Sequence, residues 1–173
     1  MNDGGEPALV RVEKIVSGGQ TGVDRAALDV ALAMGIECGG WCPRHRRAED
    51  GRIPDRYPLS ETSSASYSQR TRRNVRDSDG TLILLDGEPR GGTLLTQRTA
   101  VERGKPCLLV DVSGPLSAEE IRTWLSAHGI QVLNVAGPRE SQSPGITLAA
   151  TQLLHEVLSC HATPDGANRS TTH

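Results

Sequence analysis

Two hydrophobic periods alternate along this chain. Short apolar runs rich in β-branched residues lie at about Val12 to Ser17, Ile36 to Cys38, Thr81 to Leu85, Cys107 to Val112 and Gln131 to Val135, and they read as strands. Between them apolar residues recur at spacings of three and four. Val23, Ala26, Ala27, Val30, Ala31 and Met34 form one stripe. Ile121, Trp124, Leu125 and His128 form another, and Ile146, Ala149, Ala150, Leu153, Val157 and Cys160 a third. Gly35 stops the first helix, and Ser117 with Glu120 spells a capping box for a later one. A further helix follows Thr93 and ends near Gly104. Thr81 to Leu85 is apolar without alternation, as expected of a strand covered on both faces.

Strands alternating with helices predict an α/β fold, a parallel five-stranded sheet with helices on both faces and right-handed crossovers. The expected strand order is 2-1-3-4-5, with strands 1 and 3 flanking the switch point where ligands sit. Residues 1–11 are expected to be a flexible N-terminus, Met1 to Pro7 being polar and glycine-rich, 12–160 a single domain, and 161–173 a disordered polar tail. Two stretches fit the pattern poorly. Gly39 to Ser66 holds no period, is rich in arginine, and is of a length that reads as functional. Tyr67 to Asp77 has helical composition, but the stripe of Tyr67, Arg70, Thr71, Asn74, Val75 and Ser78 is half polar. It either lines a site or belongs to a solvated helix anchored by Tyr67 and Val75.

A net charge of -2 over 173 residues argues against a general nucleic-acid or membrane-surface binder, and the absence of phenylalanine removes most material for base-stacking platforms. No apolar run is long enough to span a membrane. Cys38, Cys42, Cys107 and Cys160 read as reduced thiols of a cytoplasmic protein. Cys38, Cys42 and His45 lack a second paired set, so no metal site is assigned.

The chemistry concentrates in the loops after strands. Gly18-Gly19-Gln20-Thr21-Gly22, with Asp24 just beyond, leads from strand 1 into a helix, and Gly91-Gly92-Thr93 repeats the arrangement after strand 3. Such corners present backbone N–H groups and a positive helix end to an oxyanion, or they serve only as sharp turns. In a parallel sheet the two loops open on one edge, which favours a shared ligand site flanked by arginines. The glycine spacing does not meet the dinucleotide fingerprint, and no lysine stands where a P-loop needs one.

With these residues in place, the chain resembles the molybdenum cofactor carrier protein family. The resemblance is carried by Ser17 to Arg25, Gly39 to Arg44, Arg47 to Pro54, Tyr57 to Leu59, Arg70-Thr71 with Asn74-Val75, Asp77 to Thr81, Gly91 to Thr93 and Asn134 to Ser141. His45 stands where that family is expected to have glycine. The family is similar to a wider Rossmann-like superfamily that includes the lysine-decarboxylase-like (LOG) phosphoribohydrolases, whose motif places a glutamate beside an arginine. Here Arg70 falls at the arginine and Thr96 at the glutamate.

The resemblance implies a Rossmann-like three-layer sandwich that binds molybdenum cofactor, or molybdopterin, as cargo. It implies a non-enzymatic carrier or storage role, with molybdoenzymes or cofactor-biosynthesis proteins as partners, and a homo-oligomer, tetramer or dimer. No catalytic residue is assigned. Cofactor binding is expected at Gly18, Gly19, Gln20, Thr21, Gly22, Asp24, Arg44, Arg47, Arg70, Asn74, Gly91, Gly92, Thr93, Asn134 and Gly137. The alternative is nucleotide binding, or hydrolysis of nucleoside monophosphates as in the phosphoribohydrolases.

Overall fold

In the computed structural model, residues 11–115 and 118–159 are described. The expected flexible N-terminus, apart from Arg11, lies outside them, as do the Ser117 cap, Cys160 and the polar tail. The elements in order are β1 (Lys14–Val16), α1 (Val23–Met34), β2 (Glu37–Gly39), β3 (Trp41–Cys42), β4 (Arg47–Ala48), β5 (Gly51–Arg52), β6 (Ser60–Glu61), α2 (Tyr67–Arg76), β7 (Gly80–Leu85), α3 (Gly91–Glu102), β8 (Cys107–Asp111), α4 (Ala118–Ala127), β9 (Val132–Ala136) and α5 (Ile146–Ser159).

A five-stranded parallel sheet with order β2-β1-β9-β7-β8 forms the frame. This Rossmann-like α/β architecture agrees with the sequence pattern, but the order does not. The last strand, β9, inserts between β1 and β7, where the expected order had those two adjacent. Burial explains the choice. β9 hides Leu133, Asn134 and Val135, and β7 is buried along its whole length, so both suit central places, whereas β8 ends in exposed Asp111 and takes an edge. The insertion brings the loop after β9 between the loops after β1 and β7.

The core lies on both sheet faces. On one side α1 packs on α5, with Val23, Ala27, Leu28, Val30, Ala150, Leu154 and Val157 buried; α2 packs on α3. Burial also raises the Cys107 thiol to about 11. Cys107 is therefore expected to react with a thiol reagent at pH 7 at least about tenfold more slowly in the native chain than in urea, a difference that mass-resolved labelling reads directly.

The arginine-rich segment is folded, and several of its arginines are matched by acceptors. Arg46 is buried and donates to four carbonyls, from Nε to Ile53 at 3.1 Å, Nη1 to Leu59 at 3.2 Å, and Nη2 to Pro54 and Tyr57 at 2.8 Å each. It acts as a hub round which the segment folds. Arg52 pairs with Asp55, Arg56 with Asp29, and Arg25 of α1 reaches across to Asp50. His45, at the position expected to be glycine, does take a left-handed backbone, φ 65°, followed by Arg46 at φ 52°.

Carboxylates strap these segments down. The Ser141 and Thr21 hydroxyls hold Glu49 below the usual carboxylate range. Arg25 does the same for Asp50, Arg76 and Trp41 for Asp77, and Thr147 with the Gly145 N–H for Glu140. A carboxylate more acidic in the folded chain contributes stability above its unfolded pKa, 4.5 for Glu and 3.8 for Asp, and that contribution is lost as pH falls through the folded value. The Tm is therefore expected to be flat near neutrality and to fall below about pH 4.5, as a calorimetric pH series would show.

Candidate functional site

The loops after β1, β7 and β9 enclose a cleft of about 230 Å³ at the carboxyl edge of the sheet. Gly18, Gln20 and Asp24 enter from the first loop and α1, Gly91, Gly92 and Thr93 from the start of α3, and Asn134 and Gly137 from β9 and its loop. Arg70 and Asn74 enter from α2. These expected site residues are brought together. Gly19, Thr21 and Gly22 are outside its lining, as is the exposed Arg44. Arg47 is also outside, although its guanidinium stands 5.5 Å from the Tyr67 ring at the cleft.

The two glycine corners differ. The first is closed by the protein's own groups, contrary to the expectation of an open N–H cradle. Gln20 N–H donates to Asp24 Oδ2 at 3.2 Å, Thr21 N–H to Gln20 Oε1 at 3.1 Å, and Val23 N–H, at the start of α1, to the Pro138 carbonyl at 3.4 Å. Two local side chains and one carbonyl thus occupy these three donors. At the second corner Thr93 N–H turns back to the Arg90 carbonyl, and α3, like α1, has no side-chain cap. Gly91 and Gly92 are the first two residues of α3 and line the cleft, so the positive end of the helix and N–H groups without an acceptor in the helix lie at its wall.

Beside the first corner it is side chains, from the corner and from α2, that offer donors. Arg70 Nη1 bonds Asp24 Oδ2 at 2.7 Å, and both side chains are largely buried. Gln20 is only 4% exposed; its Oε1 accepts from the Thr21 and Glu49 N–H groups, which fixes the amide orientation and turns Nε2 away from them. Gln20 Nε2 and Arg70 Nε are buried with no hydrogen-bond partner in the protein. Each such donor costs roughly 1–3 kcal/mol until something accepts from it.

Asn74, which lines the cleft, also has a structural task. Its Oδ1 accepts from Trp41 N–H at 2.7 Å and its Nδ2 donates to the Trp41 carbonyl at 3.0 Å, clamping β3 to α2. Asn74→Ala is expected to cost about 2–3 kcal/mol by orphaning these groups, with a red shift in Trp41 fluorescence.

Tyr67, Thr96, Arg139 and Gln142 also line the cleft but were not assigned as site residues. The guanidiniums of Arg47, Arg70 and Arg139 lie 5.5, 5.6 and 5.0 Å from the Tyr67 ring. The half-polar stripe of α2 was the available signal for Tyr67. For Arg139 the signal was the stretch Asn134 to Ser141 that carries the resemblance, although its place at the cleft depends on where β9 sits. Thr96, at the position of the phosphoribohydrolase glutamate, spends its hydroxyl on the Gly92 carbonyl at 2.9 Å. Among the described residues there is no cluster of potential ligands that could hold a metal ion, and no helix is long and apolar enough to cross a membrane.

Fold and site define a Rossmann-like domain with a donor-rich cleft at the sheet edge. The chain belongs to the circularly permuted YpsA SLOG family, whose pattern it matches over residues 15–158. It is also similar to a crystal structure, at 1.45 Å resolution, of a protein from Syntrophus aciditrophicus SB named "Putative molybdenum carrier protein". The identity is 49% and the TM-score 0.82, over 85% of this chain and 94% of that one. No curated protein matches the chain.

Proposed function

We propose that this chain binds molybdenum cofactor in the cleft as cargo, shields it, and releases it unchanged to a molybdoenzyme or a cofactor-biosynthesis protein. The observation that carries the reading is the pair of buried, unpartnered donors, Gln20 Nε2 and Arg70 Nε, beside the uncapped start of α3. They suit an acceptor-only group, and the cofactor offers a phosphate and oxomolybdenum oxygens. The name of the Syntrophus protein supports the same reading. Asp24 adds to it, since this carboxylate in the cleft is already engaged by Arg70 and the Gln20 N–H and is poorly placed to move a proton. A cytoplasmic homo-oligomer, dimer or tetramer, completes the proposal.

Purified chain mixed with cofactor and desalted is expected to retain about one molybdenum per protomer and to yield pterin fluorescence after oxidation. Retention equal to that of an unrelated protein refutes the proposal. The Arg70–Asp24 pair within a SLOG-family cleft favours one other reading, N-glycosidic cleavage of nucleoside monophosphates. That reading predicts release of free base from purine monophosphates and its loss in Arg70→Ala; no turnover across the series disposes of it.

A further inference from the structure

The cleft is too small to be the whole site. At about 230 Å³ it falls below the roughly 300–1,000 Å³ of sites that bury a small organic ligand, so a molecule anchored there by its phosphate has to extend beyond it. A second hollow, of about 330 Å³, adjoins it; Thr93 and Gln142 line both. Its walls have the opposite character. The cleft offers donors, whereas the loop after β7 presents the carboxylates of Asp86 and Glu88, with Arg90 as the cation among the described residues that line it. Leu85, Pro89 and Pro138 supply apolar surface. Carboxylates repel a phosphate and accept from N–H groups. Proline and leucine surfaces suit the face of a planar ring.

Resting on the carrier reading for the nature of the cargo, we propose that the two hollows form one bipartite site for the phosphate monoester of a planar heterocycle. Gln20, Arg70 and the start of α3 hold the oxyanion, and Asp86 and Glu88 accept from the heterocycle's N–H edge. The edge that satisfies a carboxylate is an amino group beside a ring N–H. A pterin has that pair, and so does guanine. Adenine does not, because its amino group adjoins an unprotonated ring nitrogen. The preference for guanine over adenine is therefore a property of this surface that can be measured without molybdenum.

The test uses the full chain and three probes, inorganic phosphate, guanosine 5′-monophosphate and adenosine 5′-monophosphate, titrated calorimetrically, with cofactor retention measured in parallel. The guanine nucleotide is expected to bind about tenfold or more tightly than the adenine nucleotide. Asp86→Asn with Glu88→Gln is expected to erase that preference while phosphate affinity persists, and Gln20→Ala to weaken all three probes. Equal binding of the two nucleotides, or a preference unchanged in the double variant, overturns the proposal. Cofactor retention without binding of any probe also overturns it and leaves the carrier reading standing. A guanine preference without cofactor retention supports the bipartite site and refutes the carrier reading.

Discussion

Gly18→Ala is expected to lower affinity for the bound anion ten- to a hundredfold while the chain still folds. A Cβ built at Gly18 lies 1.5 Å from Arg70 Nη1 and 2.9 Å from Asp24 Oδ2. Two atoms cannot share that space, so the guanidinium must leave. Because the obstructing atoms are the tips of side chains, the backbone has no need to move, and the cost to the fold stays near that of ordinary overpacking, about 1–3 kcal/mol. The cost to the site is larger in kind. Arg70 loses its hold on Asp24 Oδ2, now 2.7 Å away, and with it the fixed place of its guanidinium in the lining of the cleft. Circular dichroism with a thermal melt measures the first effect and titration with phosphate the second. Wild-type affinity in the alanine variant would mean that Arg70 does not need the space that glycine leaves.

The elements of this fold were legible because their burial is local. β7 is apolar at each of its central positions, and the stripe of α1 largely matches the face it buries; in α5 the stripe shares Ile146, Ala150 and Val157 with the buried face, which turns further to take in Leu154 and Leu158. Strand order was not legible. Whether Gln131 to Val135 lies at an edge or in the centre depends on what covers it, and a run of five residues does not encode that. The candidate site failed in the same way. The convergence of both glycine loops was readable from the parallel sheet, but the Pro138 carbonyl that takes the first N–H of α1 arrives only because β9 is central. Arg46 shows the complementary limit. Its sequence neighbours Arg44 and Arg47 are exposed, and nothing in the run Arg44-His45-Arg46-Arg47 marks which guanidinium turns inward to meet four carbonyls.

Gly137→Ala separates from Gly18→Ala by where the new methyl group falls. At Gly137 the Cβ would lie 2.2 Å from the Leu84 carbonyl oxygen and 2.5 and 2.9 Å from Val23 Cγ2 and Cβ. The first of these is the backbone of a central strand and the others a β-branched side chain at the start of α1, so neither can rotate out of the way. Relief requires β7, α1 and the loop after β9 to part at the junction that holds the cleft together. The expected loss is about 3 kcal/mol or more, a fall in Tm of roughly 6–12 °C for a chain of this size. Because Arg139 and Gln142 ride on the same loop, affinity should fall together with stability, where Gly18→Ala separates the two. Urea unfolding within 1 kcal/mol of wild type would show that the three elements are not packed backbone to backbone, and with that the account of how the sheet edge closes into a site would fail.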